Sequence, residues 1–107
     1  MEHFIKLSKD FSIAPGSRYP DEGDHSGEEF RKNLLVPAFK KCLETSEVLT
    51  VDLDGTLGYG TSFLEEVFGG LARDFGIQSV LTSITIISNE EEYLKEDIIE
   101  YIKNANG

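Results

Sequence analysis

The sequence has little cysteine and no long apolar run. Its one cysteine, Cys42, cannot form a disulfide within the chain, which is typical of a reducing compartment. No segment approaches the roughly 20 consecutive apolar residues that cross a bilayer, and no basic start precedes an apolar run of signal-peptide length. We therefore expect a cytoplasmic protein that does not bind or cross a membrane.

Positive charge is also scarce, since ten Lys and Arg residues oppose twenty Asp and Glu residues and leave a formal net charge of -10. Such a surface repels phosphate backbones, so we expect no nucleic-acid partner. The composition, 39% hydrophobic and 28% charged, is that of a folded globular protein. Its length predicts a single domain over residues 1–107.

Strand-like and helix-like patterns alternate along the chain. The three strand regions are predicted near residues 4–13, where a bent strand or a hairpin is expected, and at 47–53 and 80–88. Helices are predicted from about 27 to 44, from about 61 to 75, and from Asn89 onward. Alternation of this kind predicts an α/β fold with a mostly parallel central sheet packed with about three helices.

Several local signals bear on the ends and continuity of these helices. Ser26 with Glu29 fits a capping box, and Thr61 or Ser62 is expected to cap the second helix. Pro37 predicts a kink or a break near residue 36. Gly76 is placed to end the second helix.

The loop between the first strand region and the first helix, residues 14–27, is rich in proline, glycine and acidic residues. A connection of this length is often functional. Within it, Arg18 and Tyr19 are candidates to contact a partner or an anion across the edge of the sheet.

The stretch "VDLDGTL", residues 51–57, resembles the first motif of the haloacid dehalogenase superfamily of phosphohydrolases. That resemblance implies Asp52 as nucleophile, Asp54 as acid and base, and a magnesium ion held by both. Ser88, at the end of the next strand region, matches the superfamily's second motif. The superfamily also uses a lysine or arginine to stabilise charge on the phosphoryl group, and Lys95 is the only helical candidate for it. No further strand ending in acidic residues is predicted after residue 88.

The same residues have a structural interpretation. Asp54 and Gly55 form a turn after a buried strand, and Asp52 satisfies backbone groups there. We expect a protein that is not an enzyme and that uses no metal or cofactor, with the phosphohydrolase as the alternative.

A second resemblance covers more of the chain. "PGSRY" at 15–19, "SGEEFRKNLLVPAFK" at 26–40 and "VDLDGTLGYGTSFLEEVFGGL" at 51–71 resemble the bacterial STAS-like domain family, which is related to anti-sigma factor antagonists. The resemblance implies a single STAS-like domain. It also implies a regulatory, non-enzymatic protein-protein interaction module in signalling, whose expected partner is a histidine-kinase-like ATPase or an anti-sigma factor.

In anti-sigma factor antagonists the turn before the helix carries an Asp-Ser pair whose serine is phosphorylated. By that resemblance Gly60 stands at the aspartate, while Thr61, followed by Ser62, stands at the phospho-acceptor. A phosphate at a helix N-terminus would meet unpaired N-H groups. The alternative is that both hydroxyls only cap the helix.

The neighbouring turn residues complete the predicted interaction site. Asp54 and Gly55 are candidates for partner binding and would also shape the turn. Tyr59 and Phe63 flank the hydroxyl pair and are candidates for exposed partner contacts, although Phe63 fits the core equally well.

Overall fold

The computed structural model describes residues 3–105. Three strands, β1 (Phe4–Lys6), β2 (Leu49–Asp52) and β3 (Ile84–Ile87), form one sheet in the order β1-β2-β3. Both strand pairs are parallel. The predicted α/β class and parallel sheet are therefore confirmed, with each strand shorter than its predicted region.

Within the described residues, five α-helices pack with this sheet, and a 3-10 turn, Pro20–Glu22, lies in the long loop. The α-helices are α1 (Leu7–Asp10), α2 (27–45), α3 (61–75), α4 (Ile77–Ser83) and α5 (Tyr93–Lys103). The sequence predicted only about three, because α1 and α4 lie in regions assigned to strands. The last helix also begins later than the predicted Asn89. In this part of the chain, no helix combines the length and the apolar character that crossing a membrane requires.

The predicted bent strand or hairpin over residues 4–13 is wrong beyond Lys6. The chain turns into α1 at Leu7, whose side chain is buried. The carboxylate of Asp10 accepts the backbone N-H of Lys6 at 2.9 Å, which satisfies a donor at the start of this helix. A short pattern of apolar and polar residues fits one helical turn as well as a strand.

The predicted strand over residues 80–88 is also too long, since residues up to Ser83 belong to α4. Val80 points into the core from this helix. The hydroxyl of Thr82 donates to the carbonyl of Gln78 at 2.9 Å, a bond that β-branched threonine makes readily in helices. Apolar spacing alone does not separate such a helix from a buried strand.

Of the two predicted effects of Pro37, a break in α2 does not occur, and a kink stays a prediction. Leu35 and Val36 keep helical dihedrals, with φ/ψ of -70/-49 and -61/-47. A π-helical turn, Arg31–Leu35, precedes the proline, and such a widened turn accommodates an interruption within one continuous helix. A second π-helical turn, Glu65–Gly69, lies in α3.

The core lies between the helices and one face of the sheet. On that face Leu49 and Val51 of β2 are adjacent to Ile84 and Ile86 of β3. The largest fully buried aromatic side chains of the core come from the helices and are Phe30, Phe39, Phe63 and Phe68. Gly76 ends α3 as predicted and has a φ of +98°.

Candidate functional site

The turn between β2 and α3 lies at the carboxyl edge of the sheet, where Asp52 is buried to 9% exposure. One of its carboxylate oxygens accepts the N-H of Asp54 at 2.9 Å, and the other lies 3.3 Å from the Lys6 ammonium. One oxygen therefore supports the turn, and the other links β2 to β1. This arrangement agrees with the structural interpretation of Asp52.

Asp54 ties the turn to the loop that follows β3. Its carboxylate accepts the backbone N-H of Glu90 at 2.9 Å, while the Glu90 carboxylate accepts the N-H of Gly55 at 2.8 Å. The bond from Glu90 holds the pKa of Asp54 below its usual value. The two loops are thus joined by a reciprocal pair of hydrogen bonds.

Gly55 is required at its position for two reasons. Its φ is +94°, which side chains rarely adopt. A Cβ there would also lie 2.7 Å from the hydroxyl oxygen of Ser8. Gly55 therefore shapes the turn, as predicted.

Tyr59 and Phe63 do not form the exposed rim that the sequence suggested. Phe63 is 0% exposed and belongs to the core, so the expectation of an exposed contact is wrong for this residue. Tyr59 is half-buried against it, with ring centroids 5.9 Å apart, and its hydroxyl donates to the Leu53 carbonyl at 2.8 Å. Burial raises the pKa of Tyr59 to about 12. Its contacts make Tyr59 a support of the turn.

Thr61 and Ser62 are exposed and occupy the first two positions of α3. Gly60 is the N-cap residue, and among the described residues no side chain caps this helix end. The prediction that Thr61 or Ser62 caps this helix is therefore wrong. By contrast, the capping box of Ser26 with Glu29 is confirmed, because each side chain accepts the backbone N-H of the other.

Sequence reasoning missed Leu57, whose side chain is 81% exposed. Its N-H donates to the carbonyl of Ile13 at 2.7 Å, and Ile13 is itself 56% exposed. A leucine between the polar and glycine residues of a turn is the signal that could have identified it. Ile13, Leu57, Thr61 and Ser62 are hereafter called the turn surface.

Arg18 and Tyr19 have different environments. The Arg18 guanidinium lies 2.6 Å from a carboxylate oxygen of Glu65 and 3.4 Å from one of Glu66, so it anchors the long loop to α3. Tyr19 is 43% exposed and remains available for contact. Glu66, nearly buried, also binds Arg31 of α2 at 2.7 Å.

The remaining residues of the phosphohydrolase pattern have contacts of their own. The Ser88 hydroxyl donates to the carbonyl of Glu91 at 2.8 Å and is buried. Lys95 lines a groove with residues of β3 and α5. Within residues 3–105, α5 and not a further strand follows β3. Ser88 thus has a local structural partner.

A family model described as a STAS-like domain of unknown function (DUF4325) matches residues 26–94. The chain belongs to this family. The matched segment includes the turn after β2 and the start of α3, whereas Arg18 and Tyr19 precede it. The parallel sheet and the helices agree with the STAS-like architecture that the sequence suggested.

This STAS-like domain has no match among the curated proteins or among the solved structures.

Proposed function

We propose that this STAS-like domain is a regulatory module that binds another protein through the turn surface. The observation that supports this most directly is the pair of exposed hydroxyls of Thr61 and Ser62 at the start of α3, neither of which caps the helix. Exposed apolar side chains at Leu57 and Ile13 accompany them. An apolar contact beside polar groups is the usual composition of a protein interface.

The same hydroxyls are our proposed phospho-acceptors. A phosphate on Thr61 or Ser62 would meet the unpaired N-H groups and the positive dipole end of α3. Glu65 lies one helical turn further on, but it is paired with both Arg18 and Arg73, at 2.6 Å and 2.8 Å. Its charge is therefore already balanced. Phosphorylation would place a double negative charge on the turn surface and release an apolar or acidic partner.

A histidine-kinase-like ATPase or anti-sigma factor is the class of partner to test first. We expect Thr61→Glu to lower the affinity for this partner about tenfold or more, since like-charge juxtaposition disfavours binding. Affinity would be measured by calorimetry or by retention of the partner on the immobilised domain. Mass spectrometry of the domain incubated with the ATPase and ATP would detect phosphate on Thr61 or Ser62.

Gln78→Glu is the matched control, because it adds the same charge at an exposed position of α4. It should leave the affinity unchanged. Equal binding by the wild type, Thr61→Glu and Leu57→Ala would contradict the proposal that the turn surface is the contact.

We further propose that the domain is not a phosphohydrolase. The support is that Asp52 is largely buried and already bonded to Asp54 and Lys6. We expect no hydrolysis of p-nitrophenyl phosphate with Mg²⁺. Turnover that disappears in Asp52→Asn, while the variant remains folded, would instead establish the catalytic alternative.

A further inference from the structure

The two edges of the sheet differ in how they are protected. At the β1 edge, the N-H of Lys6 is accepted by the Asp10 carboxylate at 2.9 Å, and α1 follows directly. Lys6 and Asp10 are also charged, and charged residues disfavour the addition of another strand. The β1 edge is therefore closed by its own residues.

The β3 edge has no comparable protection. In the parallel register of β2 and β3, the Leu53 N-H donates to the Ile87 carbonyl at 2.8 Å. Thr85 and Ile87 consequently direct their backbone groups toward β2. The N-H and C=O groups of Ile84 and Ile86 point the other way, where no strand of residues 3–105 pairs with them. These are the groups that an added strand would bond.

Apolar side chains accompany this open edge. A groove of about 180 Å³ runs between Ile84 and Ile86 of β3 and Ile98, Ile99 and Ile102 of α5. Ile99 is 40% exposed at its border. An added strand would cover apolar surface as well as backbone groups.

The charge distribution indicates what would cover the edge. Residues 75–89 contain no charged side chain and form the longest such stretch of a chain whose net charge is -10. Two copies of an acidic protein repel one another over most of their surfaces. Along β3 itself they can meet without like-charge contacts, whereas Lys95 is the charged side chain of the adjacent groove. Strands that are identical can pair antiparallel about a two-fold axis.

We propose that β3 is the interface of a symmetric homodimer, in which the two β3 strands pair antiparallel and join the two sheets into one. Ile84 and Ile86 of each copy bond the backbone of the other, and the two α5 helices come together on the same face through Ile99. This surface uses other residues than the turn surface, and it does not depend on the proposed function.

The test combines the measured molar mass with two variants. Sedimentation velocity of the wild type, from micromolar to millimolar concentration, should show a monomer-dimer equilibrium. Thr85→Lys and Ile99→Lys should each raise the dimer dissociation constant about tenfold or more, because two-fold symmetry brings the new charges together. Phe4→Lys, an exposed position on the opposite edge, should match the wild type.

Hydrogen exchange provides an independent measurement on the unmodified protein. The amides of Ile84 and Ile86 should become protected as the concentration rises. The amide of Thr85, which bonds β2, should be protected at every concentration. If Thr85→Lys fails to fold, Ile99→Lys and this exchange pattern still decide the matter.

A wild type that is monomeric up to millimolar concentration would overturn the proposal. So would a dimer that persists unchanged in both lysine variants, or protection of Ile84 and Ile86 that does not depend on concentration.

Discussion

At the scale of single residues, the two aspartates of "VDLDG" have distinct structural tasks. Asp52 accepts the N-H of Asp54 within the turn, whereas Asp54 accepts the N-H of Glu90 from the neighbouring loop. Only the first contact is local enough to follow from the sequence. The second joins residues 36 positions apart and depends on the parallel pairing of β2 with β3.

The Asp54 contact predicts a dependence of stability on pH. The pKa of the Asp54 carboxyl is lowered in the fold from an ordinary value of 3.8. The ionised carboxylate therefore stabilises the fold above that value, and this stabilisation is lost as the pH falls through the folded pKa. We expect Asp54→Asn to lower the free energy of unfolding at neutral pH by about 0.5–1 kcal/mol. The deficit should shrink in strong acid.

Urea unfolding of Asp54→Asn and the wild type over a series of pH values measures this difference. Glu96→Gln, at an exposed position of α5, is the control and should stay within about 0.5 kcal/mol of the wild type. A deficit for Asp54→Asn that stays constant into strong acid would show that the ionised carboxylate is not responsible.

At the scale of elements, the ends of α3 are set by two glycines in different ways. Gly60 begins the helix with extended dihedrals, φ -84° and ψ 154°. Gly76 ends it with a φ of +98°, and its N-H donates to the carbonyl of Ala72 at 2.7 Å. The glycine at the C-terminal end was predictable, since glycine favours this position. The absence of a side-chain cap at the N-terminal end was not predictable, because two hydroxyl residues in succession resemble a capping sequence.

Gly76→Ala tests the end of α3. A Cβ there would meet no atom within 4 Å, so any loss of stability reflects the positive φ alone. We expect a cost of about 1–2 kcal/mol in the free energy of unfolding, measured by urea denaturation. Gln78→Ala, two residues later and exposed, should be close to neutral. A neutral Gly76→Ala would mean that the junction between α3 and α4 relaxes to a negative φ.

At the scale of the whole molecule, ion pairs centred on Glu66 hold the long loop and the helices α2 and α3 together. Arg18 and Arg31 both reach the nearly buried Glu66, at 3.4 Å and 2.7 Å. Charged groups removed from water must be paired, and here the pairing joins segments far apart in sequence. No local pattern marks these partners, and the sequence suggested Arg18 as a partner or anion contact instead.

The α/β alternation, the parallel sheet, the turn after β2 and the Ser26 capping box followed from the sequence alone, because each rests on periodicity or on contacts between near neighbours. Tertiary structure decided which apolar residues are helical in α1 and α4, that Phe63 is core, and that Leu57 is exposed. It also decided that β1 protects its edge and β3 does not. These outcomes depend on which distant elements cover a residue, and that information lies in packing and strand order, not in local spacing.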